Sequence, residues 1–306
     1  MVNIIGTRKI WFGISGALFL ASVIAIAVWG LRFGIDFTGG SISELHFIDA
    51  RPDNALVAAS IEKSGIHDAI LQPVGDKDLF IRTKTLGQTE HQKMVQELTT
   101  TFQTADKKPA VEEKSFESIG PTVGAELKQK SWSAVTMVLV AIILYIAWAF
   151  RKVSEPVASW KFGICAVVAL FHDVVIPTGI FAALGHFLGY EIDTLFVTGV
   201  LTVLGFSVHD TIVVFDRIRE NLIKHRAKTF AETVNASVNE TITRSINTSF
   251  TVLLVLFAVF FFGGVSTRNF VLVLILGVFF GTYSSIFIAS PLLVAWQEWQ
   301  KGKGKR

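Results

Sequence analysis

The sequence predicts an α-helical polytopic membrane protein with six transmembrane helices and a small α+β, ferredoxin-like domain outside the membrane between the first and second. Three observations predict it. Of 306 residues, 51% are apolar and only 17% charged, with a mean hydropathy of +0.52, whereas a soluble domain carries about 25% charged residues. The apolar residues gather into six long runs. One intervening segment, 30–130, carries instead the strand and helix signals of a separate small domain. This composition argues against a soluble enzyme or a nucleic-acid-binding module. The 26 Phe and 7 Trp against 3 Tyr suit lipid contact. A lone cysteine, Cys165, excludes an intramolecular disulfide, a zinc knuckle and a CxxC redox pair.

The six runs are 10–29, 133–150, 162–184, 195–215, 246–264 and 270–296, close to the roughly 20 residues a bilayer crossing needs. The last is long enough to be tilted, or broken near Pro291. The first has Arg8 and Lys9 ahead of it and Ala25-Ile26-Ala27 near its end, as a signal peptide would. Its apolar stretch exceeds the usual ~7–15 residues, so it reads as an uncleaved span.

Lysine and arginine set the expected orientation. The segment before the first run has two, 151–161 has three, 186–194 none, 216–245 six, 265–269 one and the tail 297–306 four. This alternation places both termini, the helical loop 216–245 and the basic tail in the cytoplasm, and 30–130 outside. The 12 basic residues of 30–130 do not oppose this, because long loops translocate largely regardless of charge.

Segment 30–130 holds 12 basic and 15 acidic residues, a net charge of −3 that leaves +6 for the rest. Residues 41–48 read as a strand. Residues 53–64 read as a helix capped by Asp53 and ended by Gly65. Strands at 69–74 and 79–84 flank a Gly75-Asp76-Lys77 turn, 88–104 is a second helix, and 111–119 a last strand stopped by Gly120-Pro121. The order β-α-β-β-α-β is that of a split βαβ sandwich. No catalytic constellation is visible, and His46, His67 and His91 lack metal-ligand spacing. Contact with other polypeptides is the expected role. Ahead of this domain lies Gly34-Ile35-Asp36-Phe37-Thr38-Gly39-Gly40. A phosphate-binding loop would continue into Lys-Ser/Thr and a helix, and neither is expected here. The segment reads as a tight structural turn in which Gly39 and Gly40 supply backbone angles other residues avoid.

Ionisable groups inside membrane spans are costly and mark functional sites by default. The third and fourth runs carry them, each as the same dipeptide: His172-Asp173 and His209-Asp210. Pro177 cannot donate to the Asp173 carbonyl, which predicts a kink beside a buried carboxylate. Asp173 is either part of a moving or ion-binding site or a structural pair that holds helices together. Asp210 lies five residues before Phe215, roughly 7.5 Å from the end of its span at ~1.5 Å per residue. Thr198, Thr202, Gly205 and His209 form a small polar stripe beside it, suited to facing other helices rather than lipid.

Arg244 precedes the fifth run, and Val234, Val238, Ile242 and Ile246 place an amphipathic helix around it. Asp210 and Arg244 are expected at similar depth. A carboxylate that pairs and unpairs with an arginine can capture and release a proton, since burial and the cation act on it in opposite directions. Otherwise Arg244 is one more inside-positive charge. Glu220 and Lys224, four apart, can pair on a helical extension of the fourth span. Asn235-Ala236-Ser237, Asn239-Glu240-Thr241 and Asn247-Thr248-Ser249 match the glycosylation pattern but fall on the wrong side of the membrane or within it.

Phe37-Thr38-Gly39-Gly40, Phe171-His172-Asp173-Val174, the 17 residues from Gly205 to Asn221 (GFSVHDTIVVFDRIREN) and the run Asn239 to Ser249 resemble the SecD/SecF protein-export membrane protein family of the RND superfamily. The resemblance covers essentially the whole chain. It implies half of an RND-type 12-helix unit, completed by a SecD partner in a heteromer. It also implies use of the proton motive force to assist late polypeptide translocation across the bacterial cytoplasmic (inner) membrane, after SecA has fed the chain through SecYEG. A YajC-like accessory subunit is a further implied partner. The family's proton-pathway carboxylate and arginine fall on Asp210 and Arg244, with Asp173, His172 and His209 as neighbours of that pathway. No catalytic residue, cofactor, metal or nucleic acid is implied. His209 departs from the usual Asn and could alter proton affinity at Asp210. Two rival readings use the same residues: an intramembrane aspartyl protease with Asp173 and Asp210 as a dyad, and a metal transporter with His172, Asp173, His209 and Asp210 as ligands. The protease's glycine two before the aspartate is absent, since Val208 stands there. Neither rival accounts for Arg244 or the external domain.

Overall fold

The computed structural model describes residues 2–104, 108–150, 158–224, 229–264 and 267–303. Arg151, Lys152, Arg226, Lys228, Lys305 and Arg306, which entered the orientation argument, lie outside the described residues. The chain divides into two compact units: Phe33–Trp132, and Met1–Arg32 together with Ser133–Arg306.

The smaller unit begins with a short helix α2 (Ile35–Thr38), then β1 (Gly40–Phe47), α3 (Asn54–Lys63), β2 (Ile70–Val74), β3 (Asp78–Thr83), α4 (Gln88–Thr101) and β4 (Val111–Ile119). The strands form one sheet in the order β2-β3-β1-β4, every pairing antiparallel. Two helices connect its non-adjacent strands, which is the split βαβ arrangement expected. Asp53 caps α3, its side chain accepting from the Ala55 amide. Leu45, Phe47, Leu79, Ile81 and Val111 from the sheet meet Val57 and Ile61 of α3 and Met94 and Leu98 of α4 in one core.

The turn before β1 differs from expectation in holding a helical turn, α2. The reading of Gly39 and Gly40 stands on two physical grounds. Their φ angles are +73° and +134°, in the region that favours glycine. A Cβ on Gly39 would lie 2.9 Å from the Pro121 backbone, and one on Gly40 2.9 Å from the Thr83 carbonyl.

On the sheet, Asp78 of β3 bonds His46 Nδ1 of β1 at 2.7 Å and accepts from Lys114 Nζ of β4 at 2.8 Å. The hydrogen bond from Lys114, then that from His46, holds the Asp78 carboxyl below the usual carboxylate range.

The larger unit contains α1 (Arg8–Trp29), most of the helix α5 (Pro121–Ala149), α6 (Ser159–Leu188), α7 (Thr194–Ile223), α8 (Phe230–Phe262), and α9 (Arg268–Ser284), which continues through a π-helical turn (Ser285–Ala289) into α10 (Ser290–Lys303). Among the described residues six helical stretches are long and apolar enough to cross a membrane, the sixth being Arg268–Lys301. Trp11, Trp29, Trp148, Trp160, Trp296 and Trp299 lie near the ends of these stretches, where amphipathic rings suit the bilayer interface.

The expected break near Pro291 takes the form of the π turn just before it. Proline has no N–H for the carbonyl four residues back, and wider i→i+5 bonding is one way a membrane helix adjusts around it. Ser290 Oγ donates to the Ser285 carbonyl at 3.1 Å across this turn. By contrast, α6 runs on through Pro177.

Small residues let helices approach. A Cβ on Gly277 of α9 would lie 2.0 Å from Val203 of α7, and one on Gly199 of α7 2.3 Å from Val273 of α9. Gly281 faces Ser207 one turn further. These three contacts advance four residues at a time along both helices, so α7 and α9 run parallel along a glycine-lined seam. Asn235 and Asn239 of α8 hold the N-terminal segment: Asn239 Oδ1 accepts from the Val2 amide at 2.8 Å, and Asn235 Oδ1 from the Ile5 amide at 3.2 Å. Arg8 pairs with Glu298 of α10 at 2.5 Å.

Candidate functional site

Helices α6, α7, α8 and α9 converge on two buried carboxylates. Asp173 of α6 is fully buried, at 0% exposure, and Asp210 of α7 is 8% exposed. Asp173 Oδ2 accepts from Ser207 Oγ of α7 at 2.5 Å and from Ser284 Oγ of α9 at 2.7 Å, while Oδ1 lies 2.9 Å from His172 Nδ1. Asp210 Oδ1 accepts from Ser245 Oγ of α8 at 2.5 Å, and Oδ2 from Ser285 Oγ at 2.7 Å. Ser249 of α8 bonds Thr282 of α9 one turn away. The α7–α9 seam explains why serines suffice: with Gly281 against Ser207, backbones are close enough for short hydroxyls on either side to reach Asp173. Buried carboxylates need such donors.

His172 is buried, its ring 6.1 Å from that of Tyr283 and 6.3 Å from that of Phe280. Its Nε2 has no hydrogen-bond partner among the described residues. His209 is exposed, as are Thr198, Thr202 and Gly205. The Thr198 and Thr202 hydroxyls donate back to the carbonyls of Thr194 and Thr198 at 2.9 and 2.8 Å. The predicted stripe therefore lies on the outside of α7, while Asp210 turns inward.

Arg244 is exposed on α8, and the salt bridges among the described residues do not include an Arg244–Asp210 pair. The neighbouring Ser245 occupies the inward position and takes the bond to Asp210. The buried face of α8 departs from the expected apolar one for the same reason. Val234 and Val238 are buried, but Ile246 is exposed, and Thr241, Ser245 and Ser249 continue the buried stripe. Hydroxyls can satisfy the carboxylate and a facing threonine, which isoleucine cannot. At the far end of α7, Glu220 pairs with Lys224 as its spacing predicts, and Arg217 bridges Glu220 and Glu240.

Ser207, Ser245, Ser284 and Ser285 were not singled out by sequence reasoning. Adjacent serines inside the apolar run 270–296 were the available signal. Among the described residues no three His, Cys, Asp or Glu side chains gather as metal ligands. Asp173 and Asp210 are each surrounded by hydroxyls, and His209 is not part of the centre.

The fold and this centre define the class: a multi-pass membrane protein with buried, hydroxyl-bound carboxylates where its central helices meet. Residues 98–299 match the family described as Protein export membrane protein SecD/SecF, C-terminal. Residues 24–47 match the SecD/SecF GG Motif, which contains Gly39 and Gly40. The chain is 40% identical to the Protein translocase subunit SecF of Anaerolinea thermophila, covering 98% of this chain and 96% of that protein. It is 42% identical to that of Thermobaculum terrenum over 97% and 94%. The crystal structure of SecDF, a translocon-associated membrane protein from Thermus thermophilus, superposes with a TM-score of 0.81 at 31% identity over 97% of this chain. This chain spans 39% of that longer one. A SecDF structure in the super-membrane-facing form gives a TM-score of 0.69 at 29% identity, over 99% of this chain and 40% of that one. The chain belongs to the SecD/SecF protein-export membrane protein family.

Proposed function

We propose that the chain acts as the SecF-type subunit of the Sec protein-export machinery. In this reading it joins a SecD-type subunit to form a 12-helix unit and uses the proton motive force to assist late translocation across the bacterial cytoplasmic membrane. SecYEG is the channel it assists, SecA acts upstream, and a YajC-like protein is an accessory partner. Both termini lie in the cytoplasm and the domain 30–130 lies outside. The role is one of transport rather than catalysis.

The observation that carries the reading is Asp210: a carboxylate 8% exposed, held by hydroxyls from two other helices, within the family's matched region. Ionised Asp210 is acceptor-only, and both serines donate to it. Once protonated it gains one O–H to donate while keeping acceptor capacity, so a serine at the protonated oxygen can turn and accept. Proton uptake can in this way rearrange the hydrogen bonds at the α7–α8–α9 junction. In the proposed cycle the arrangement described above is the unpaired state of Asp210 and Arg244. Pairing would bring Arg244 inward as α8 turns, and the partner subunit would supply a further carboxylate. The exposed stripe of Thr198, Thr202, Gly205 and His209 supports a protein neighbour beside α7.

The test is export of a reporter protein into membrane vesicles with the proton gradient imposed or collapsed. Asp210→Asn should assemble yet lose the gradient response. Arg244→Lys, which keeps charge but not the planar fork, should be partly defective and Arg244→Ala more so. Gradient-dependent export by Asp210→Asn equal to wild type would overturn the proton role.

A further inference from the structure

Ser284 and Ser285 are consecutive residues where α9 passes into the π-helical turn, yet they serve different carboxylates. Ser284 Oγ lies 2.7 Å from Asp173 Oδ2, and Ser285 Oγ 2.7 Å from Asp210 Oδ2. Each hydroxyl also has a second acceptor in reach on its own helix. The Gly281 carbonyl is 3.1 Å from Ser284 Oγ, and the Thr282 carbonyl 3.0 Å from Ser285 Oγ. A serine has one proton to donate. Each therefore has two states: donating to an ionised carboxylate, or donating to its backbone carbonyl while accepting from a protonated one.

The two serines share a peptide unit, and that unit opens a π turn, a geometry that often marks functional sites in helices. The Ser285 carbonyl is itself held by Ser290 Oγ at 3.1 Å, so the turn that carries Ser285 is tied across to the start of α10. A second link runs through α7, where Ser207 bonds Asp173 three residues before Asp210. Tightly packed elements of this kind have discrete arrangements rather than continuous ones.

We infer that the Ser284-Ser285 step couples Asp173 to Asp210, so that proton binding at one carboxylate changes the hydrogen-bonding of the other. The two aspartates then act as one titrating unit, with Ser284 and Ser285 as positioning residues. This deepens the proton-relay reading and rests on it. The other titratable group facing the unit is His172, at Asp173 Oδ1. Tyr283 of α9 lies beyond His172. His209 of α7 and Arg244 of α8 adjoin Asp210 and Ser245 in sequence but are exposed.

The experiment is infrared titration of the full chain in lipid nanodiscs, following the carboxyl band of Asp210 identified by its loss in Asp210→Asn. Asp173→Asn should change the proton affinity of Asp210 by about tenfold or more, the scale at which titrations become coupled. In Ser284→Ala or Ser285→Ala backgrounds the effect of Asp173→Asn should fall to less than about twofold. Ser284→Thr and Ser285→Thr, which keep the hydroxyl, should restore it, and monodispersity confirms folding of each variant. An Asp210 affinity indifferent to Asp173→Asn overturns the inference. So does coupling that survives both alanine substitutions, because direct charge interaction or the Ser207 link would then suffice. Neither result touches the requirement for Asp210 in gradient-driven export, so the inference and the proposed function fail on separate measurements.

Discussion

At the scale of single residues, Asp173 and Asp210 were visible in sequence because carboxylates are rare in apolar runs. Their partners were not, because serine is unremarkable in a membrane helix and only the approach of a second helix brings a carboxylate within reach of its hydroxyl. Spacing places Arg244 near Asp210 in depth, and the helical rotation of about 100° per residue turns the adjacent Ser245 inward to bond that carboxylate. A residue-level test in the small α+β domain uses Asp78, bonded to both Lys114 and His46. Its carboxyl is held below the usual range, so its stabilising contribution is present above the unfolded value, about 3.9, and is lost as pH falls through the lower folded value. Asp78→Asn should therefore speed amide exchange of β1, β3 and β4 at neutral pH. The difference from wild type should shrink in strong acid. Equal exchange at neutral pH would show that the bridge contributes nothing.

At the scale of elements, the strands and helices of the small α+β domain were legible to within a few residues because capping, turn glycines and periodicity are local. The short helix α2 was not, since a single turn between two glycines has too few residues to show periodicity. The seam between α7 and α9 was also hidden, as glycine in a membrane helix does not announce which partner it meets. Gly277→Leu should drive α7 from α9 at Val203, at a cost of at least about 1–3 kcal/mol for overpacking. It should also withdraw Ser207 or Ser284 from Asp173. Thermal unfolding of the protein in lipid measures the first effect, and a melting temperature equal to wild type would show that the seam can yield.

At the scale of the whole molecule, the two units answer different physical demands. The smaller one closes its own apolar core. The membrane one leaves apolar faces outward, as α5 does at Met137, Val140 and Leu144, and satisfies its buried carboxylates internally. The proposed orientation has a direct check: a cysteine placed at Asp76 should be labelled by an impermeant reagent from outside, and one at Lys224 only after permeabilisation. The reverse pattern would invert the topology.

Chain composition, hydropathy and local spacing by themselves determined the class of protein, the number of spans, the order of elements in the small α+β domain and the two aspartates inside the spans. These follow from solvation and local geometry, which each segment expresses without its neighbours. Only the tertiary structure decided that Asp173 and Asp210 share a serine-lined centre, that Arg244 and His209 lie outside it, and that two adjacent serines serve different carboxylates. Hydrogen-bond partners depend on which helix faces which and at what rotation, and packing of the whole chain sets both.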